Sequence, residues 1–297
     1  MATMGLVLEG GGLRGLFTAG VLDYLYDAGV EIDYVIGVSA GACNAISYIS
    51  KQRGRNYYIN YSYSGDPRYI SVGNYLRTGS MVGEQFLYHD IPDRIVPFDH
   101  KAYQASRARL VAVCTDLRTG QPFYQRIDDC AAQIDVIRAS ASLPFISRPV
   151  AVDGHLLLDG GTADSIPLQK SIQDGNLLNL VVLTRPQGYR KKESGSDLGS
   201  RLAYSRYPQF VAAMKRRPTV YNVTLDLVEQ EEKEGRAVAL RPSAGLEVAR
   251  FERNKEKLRA LYLDGYQAAR RQGEAILRLV KQAENARIAP PAPKEER

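Results

Sequence analysis

Residues 4–15 read MGLVLEGGGLRG. Gly5–Leu8 is a short apolar strand, and it runs into Gly10-Gly11-Gly12-Leu13-Arg14-Gly15. Gly10, Gly12 and Gly15 fill a G-x-G-x-x-G template. After a strand and before a helix, that template is the fingerprint of dinucleotide binding. Its physics is broader than that use, because bare backbone N–H groups at a strand-to-helix turn welcome any negative charge. The fold and the function therefore turn on which anion this loop meets.

Outward from the loop, Arg14–Ala28 carries Phe17, Val21, Leu25 and Ala28 at helical spacing, and Gly29 marks a stop. Asp33–Val38 reads as a second buried strand, and Ser39–Ser47 has helical composition. The order β-α-β-α is the grammar of an α/β fold with a parallel sheet. Residues 51–108 are rich in tyrosine, arginine and proline and show no sustained periodicity. Leu110–Thr115 and Pro122–Ile127 predict a hairpin, Ala131–Ala141 a helix, and Pro149–Val152 with His155–Leu158 a second hairpin around Asp153-Gly154. Leu180–Thr184 and Ala237–Leu240 predict further strands, and Glu252–Ala286 one long amphipathic helix. The basic stretches at 189–192 and 215–217 read as solvated surface, with docking to anionic lipid as a further option. Residues 1–287 are expected to form one domain, with a core at about 5–185 and an extension at 186–287. Residues 288–297 are expected to be a disordered tail.

Composition narrows the class. The 297 residues are 44% hydrophobic and 24% charged, as in an ordinary globular chain with a core. No apolar run approaches the roughly 18–20 residues that span a bilayer. The glycine loop starts too near Met1 to leave room for a signal peptide, so a cytoplasmic location is expected, with a peripheral place at a membrane left open. Cys43, Cys114 and Cys130 lack disulfide or metal spacing and read as small thiols in a reducing compartment. A net charge of +6 favours anionic partners only weakly.

Gly37-Val38-Ser39-Ala40-Gly41 fits G-x-S-x-G between a predicted strand and a predicted helix. A sharp turn there projects the serine oxygen outward, and the helix N-terminus faces charge developing beside it. Ser39 as a simple helix cap is the competing reading, but it does not explain both glycines. A serine nucleophile needs a base within hydrogen-bond reach. His89 and His100 lie in polar, irregular sequence, and His155 adjoins a hairpin turn. Asp159-Gly160-Gly161 is the better candidate, because it closes a strand of three leucines where a carboxylate is out of place as ordinary surface.

These three glycine-bearing blocks resemble the hallmark blocks of patatin-like phospholipases. Cys114–Gly120 and Arg138–Pro144 fit the family in place and wording, and residues 241–266 resemble its bacterial branch. The resemblance implies a three-layer α/β/α fold with a central, mainly parallel sheet. It implies a dyad in which Ser39 is the nucleophile and Asp159 accepts its proton directly. Gly37 and Gly41 belong to the nucleophile elbow, and Gly160 and Gly161 to the Asp-Gly-Gly motif. The oxyanion hole is expected from the loop Gly10, Gly11, Gly12, Arg14 and Gly15, with its donors at Gly11 and Gly12. The implied activity is hydrolysis of acyl ester lipids at a membrane or micelle surface, with no cofactor, no metal and no nucleic acid. Two rival readings stand beside it. One is a nucleotide-binding oxidoreductase, for which Glu31 and Asp33 are the ribose candidates although they precede the second strand. The other is a catalytically inactive lipid-binding protein on the same fold.

Overall fold

The structure, a computed structural model, describes residues 4–193 and 198–288. The first strand, β1 (Met4–Leu8), leads through a short 3₁₀ turn at Gly12–Arg14 into α1 (Gly15–Asp27). β2 (Tyr34–Val38) and α2 (Ala40–Ile49) complete the first β-α-β-α unit. A helical cap follows: α3 (Arg55–Tyr63), α4 (Val72–Thr78), a wide helical segment at Phe86–Ile95, and α5 (His100–Ala105). The sheet resumes with β3 (Arg109–Asp116) and β4 (Pro122–Ile127), then α6 (Ile134–Ser140), β5 (Val150–Val152) and β6 (His155–Asp159). Next come α7 (Leu168–Gln173), β7 (Leu178–Val182), α8 (Leu198–Ala203), α9 (Pro208–Lys233), β8 (Ala237–Leu240), α10 (Lys255–Arg271) and α11 (Gly273–Ile288).

The eight strands form one mixed sheet in the order β5-β6-β3-β2-β1-β7-β8, with β4 also on β3. β3, β2, β1, β7 and β8 run parallel, while β4 and the β5–β6 hairpin are antiparallel to their neighbours. Alternation along each strand sends side chains to two apolar layers. Leu6 and Leu8 face α1, α2 and α10, whereas Val7, Ile36 and Val38 pack with Ile166 and Leu168 and with Tyr221, Leu225 and Val228 of α9. This is the three-layer α/β/α arrangement that the β-α-β-α pattern and the resemblance predict.

One register detail positions the site. Cys114 of β3 pairs with Phe123 of β4 and with Asp159 of β6, so those strands lie on opposite edges of β3. The pairing of β2 with β3 ends at Val38↔Val113, and that of β6 begins at Cys114↔Asp159. The two strands therefore meet end to end along one edge of β3, with Ser39 just past the end of β2 and Asp159 at the facing end of β6.

Both predicted hairpins and all the predicted strands are present. Three helical expectations change. Residues 252–286 are not one helix: α10 and α11 break at Gln272, and a Cβ at Gly273 would lie 2.3 Å from the Tyr24 hydroxyl. The helix expected at 131–141 starts only at Ile134, because the Asp129 carboxylate caps the N–H groups of Ala131 and Ala132 in a turn. Helix α9 was not anticipated. Its apolar positions Phe210, Ala213, Tyr221, Leu225 and Val228 have helical spacing, but Lys215-Arg216-Arg217-Pro218 interrupts the pattern. The tail expected at 288–297 begins with the last residue of α11, Ile288, and the rest lies outside the described residues.

Candidate active site

Ser39 stands at the turn from β2 into α2 with φ 54° and ψ −121°, a conformation that a non-glycine residue holds only when its surroundings enforce it. The enforcement is visible. A Cβ at Gly41 would sit 2.4 Å from the Leu8 carbonyl oxygen, so only glycine lets α2 come down onto the end of β1. The Ser39 N–H donates to Ser140 Oγ at 2.9 Å, and that hydroxyl donates to the Val113 carbonyl at 2.7 Å. Two residues on, the Ser142 carbonyl accepts from the Asp159 N–H at 2.8 Å. The segment 138–144 thus fastens both ends of the junction between β2 and β6. Its wording points to the family, but its role in holding Ser39 is invisible without the fold.

Asp159 is 3% exposed. Its Oδ1 accepts from the Gly161 N–H at 2.7 Å, and Oδ2 is buried without a hydrogen bond of good geometry. Burial pushes the carboxyl above its ordinary value. The nearby Ser39 hydroxyl, the Arg217 guanidinium, the Gly161 N–H and Arg250 offset part of that rise. A carboxylate of raised basicity beside a serine hydroxyl is the chemistry of a direct general base.

The glycine loop lies over the elbow. The Gly10 Cα faces Ser39, and a Cβ there would be 3.1 Å from the Ser39 Cβ. Gly12 adopts φ +59° beneath Arg250, where a side chain would collide with Arg250 Cγ at 2.6 Å. Asn44 of α2 donates to the Gly15 carbonyl at 2.9 Å and Leu13 N–H to the Arg250 carbonyl at 3.0 Å, fixing the loop from both sides. Among the described residues no group accepts from the N–H groups of Gly10, Gly11 or Gly12. Together with the N-terminus of α2 they leave a cluster of free donors next to Ser39. Gly160 and Gly161 form the 3₁₀ turn after β6 that lets the chain leave the sheet.

Two cavities meet at Ser39. One, of about 390 Å³, is mainly apolar and is lined by Cys43, Ile59, Val82, Leu87 and Ile137 among others, and the cap helices roof it. The tyrosines at 57–75 belong to this cap: Tyr57 stacks on Tyr61 at 5.2 Å and on Tyr262 at 4.2 Å, and Tyr69 is buried. His89 and His100 line the same cavity, and neither lines the polar one that holds Ser39 together with Asp159. The second cavity, of about 170 Å³, is polar and is lined by Glu9, Arg14, Asp159, Lys191, Arg217 and Arg250 among others.

Not every candidate comes together. His155 is bound through Nδ1 to Asp116 Oδ2 at 2.7 Å, at the far end of β6 from Asp159. Glu31 pairs with Lys51 at 2.5 Å and Asp33 with Arg107 at 3.5 Å, at the end of β2 opposite the glycine loop, so neither of these ribose candidates faces the loop. Lys191 and Arg217, read as solvated surface, instead line the polar cavity, whereas their neighbours Lys192, Lys215 and Arg216 are exposed. Burial pushes the Cys43 thiol up to about 12, and burial likewise raises Cys114 and Cys130. Burial therefore favours the thiol over the thiolate at all three.

The sequence model of the family described as patatin-like phospholipase matches residues 6–171. That of a domain of unknown function, DUF6363, matches residues 207–281. Among curated relatives, the uncharacterized protein YjjU of Escherichia coli (strain K12) is 31% identical over 195 residues, covering 61% of this chain and 52% of that protein. Lysophospholipase NTE1 of Kluyveromyces lactis is 27% identical over 182 residues, covering 58% of this chain and 12% of that protein. The match thus spans about half the length of the first relative and about an eighth of the second. The solved structure of VipD from Legionella pneumophila aligns with a TM-score of 0.50 over 95% of this chain and 67% of that one. At 14% identity this is a likeness of fold alone.

Proposed function

The chain belongs to the patatin-like phospholipase family, and from that premise we propose that it hydrolyses fatty acyl esters of lipids through a Ser39 acyl-enzyme. The observation that carries this reading is the placement of Ser39, strained at its elbow, beside a buried carboxylate and between an apolar cavity and a polar one. The acyl chain enters the apolar cavity, so the ester carbonyl rests over Ser39. The Ser39 oxygen attacks the carbonyl carbon as its proton passes to Asp159. The oxyanion is met by the free N–H groups of the glycine loop and the N-terminus of α2, with Gly11 and Gly12 as the principal donors. Collapse of the intermediate breaks the ester C–O bond, and the leaving alkoxide takes the proton from Asp159. A water then gives its proton to Asp159 and attacks the acyl-enzyme, and the fatty acid departs as Ser39 recovers its hydrogen. Arg14 braces the loop and adds positive potential. The work at the ester is done by this chain's own side chains and amides.

No helix among the described residues is long and apolar enough to cross a membrane. A panel of phospholipids, lysophospholipids and neutral glycerides, read by mass spectrometry, tests the reading. The wild type is expected to release free fatty acid from at least one acyl ester class, and Ser39→Ala from none. Release by Ser39→Ala equal to wild type contradicts it.

A further inference from the structure

The polar cavity holds more positive charge than the reaction at Ser39 uses. Arg14, Arg185, Lys191, Arg217 and Arg250 all line it, against two carboxylates, Glu9 and Asp159. Glu9 is already engaged, accepting from the Thr184 N–H at 2.6 Å and the Tyr221 hydroxyl at 2.8 Å. Among the described residues none of the five cations is in an ion pair, and the buried Nε atoms of Arg14 and Arg217 have no acceptor. Arg217 and Arg250 are the cations that act most strongly on Asp159, and the other three, Arg14, Arg185 and Lys191, have no ion-pair partner among the described residues.

The loop after β7 is built to present one of them. Asn222 of α9 grips both backbone groups of Lys191, accepting from its N–H at 2.8 Å and donating to its carbonyl at 3.0 Å. The preceding residue, Arg190, turns outward and is neutralised by Asp226 at 2.7 Å. Lys191 turns inward over the Tyr221 ring at 4.1 Å, and Arg185 lies over Tyr189 at 4.6 Å. Aromatic faces hold a cation in place without cancelling its charge. Packing like charges together in a half-buried cavity is unfavourable unless an anion joins them. In keeping with this, burial and the surrounding arginines bring Lys191 down to about 7, and burial with Arg185 and Arg250 brings Arg14 to about 10.

We infer that Arg185, Lys191, Arg217 and Arg250, with Arg14, form a subsite for the phosphate of an acyl ester, on the side of Ser39 opposite the acyl chain. The substrate half of this inference rests on the acyl hydrolase reading. A lipid headgroup is favoured over free phosphate because the polar cavity and the apolar cavity both reach Ser39. Since five cations face two carboxylates, of which Glu9 is engaged through both oxygens and Asp159 is needed for the Ser39 proton, a phosphomonoester suits the subsite better than a zwitterionic headgroup. The matched segment at 207–281 supplies Arg217 and Arg250, which gives this part of the chain a role at the site.

The test compares 1-oleoylglycerol 3-phosphate with 1-oleoylglycerol in neutral micelles, using wild type, Lys191→Gln, Arg185→Gln and Lys191→Arg, each checked for folding by thermal unfolding. Wild type is expected to favour the phosphate ester in kcat/KM by about tenfold or more, as for a charge-assisted contact. Each Gln variant should bring the ratio of the two substrates toward one, and Lys191→Arg should restore it. A wild-type ratio near one, or a ratio unmoved in both Gln variants, overturns the proposal. Inhibition by inorganic phosphate at concentrations as low as those of glycerol 3-phosphate assigns the site to free phosphate and overturns the headgroup assignment. If neither these two esters nor any lipid of the wider panel is hydrolysed, the hydrolase reading fails on its own. Calorimetric titration of wild type with glycerol 3-phosphate then decides the subsite: binding lost in Lys191→Gln supports it, and no binding to wild type overturns it.

Discussion

Asp159 carries a cost that its proposed role as base explains. Burial raises its pKa, and the net shift stays upward even with Arg217 and Arg250 nearby. Between the ordinary carboxyl value of 3.8 and the raised one, the folded chain holds more protons than the unfolded chain. Stability therefore falls as pH rises through that interval and stays lower above it. Asp159→Asn is expected to cut ester hydrolysis by about 10²–10⁴-fold. It should also raise the unfolding temperature near neutral pH, by roughly 2–4 °C for each kcal/mol recovered in a chain of this size, and the gain should vanish in acid. His155→Ala, by contrast, is expected to keep most activity, because His155 is tied to Asp116 away from Ser39. Rate profiles and melting curves for the two variants check both statements. Ser39 and Asp159 stand out in the sequence because their neighbours are glycines that only a special backbone requires. Lys191 and Arg217 do not, since a run of basic residues looks the same whichever of its members turns inward.

Between elements, the decisive contact is the meeting of β2 and β6 along one edge of β3, closed by the segment 138–144. Ser140 accepts from the Ser39 N–H and is itself fully buried. Ser140→Ala leaves that N–H without a partner, at an expected cost of about 1–3 kcal/mol in urea unfolding. Because Ser140 positions Ser39 and does not touch substrate, kcat should fall while KM stays near its wild-type value; a KM effect alone would assign it to binding. The strands were legible from their apolar runs and turn residues, and the parallel order followed from alternation with helices. What sequence could not supply was the end-to-end pairing, since it depends on two strands sharing one edge of a third. Helix α9 escaped for a different reason: a basic run and Pro218 mask its apolar face in mid-course.

At the scale of the molecule, the C-terminal helices are built into the core. A Cβ at Gly20 of α1 would lie 2.0 Å from the Tyr262 carbonyl, and one at Gly265 of α10 would lie 2.0 Å from the Phe17 carbonyl, so the two helices touch backbone to backbone. Gly265→Leu is expected to force them apart at a cost of about 1–3 kcal/mol, read by urea unfolding. It should also disturb Arg250, whose carbonyl receives the Leu13 N–H of the glycine loop. The opening glycines are thus held from both ends of the chain, over a serine rather than against a ribose-binding acid. That serine is the centre of the functional account, and covalent trapping tests it most directly. Wild type and Ser39→Ala are incubated with a fluorophosphonate, and the adduct is located by peptide mass spectrometry. One adduct is expected, on Ser39, and none in Ser39→Ala. An unlabelled wild type, or equal labelling of Ser39→Ala, would contradict it.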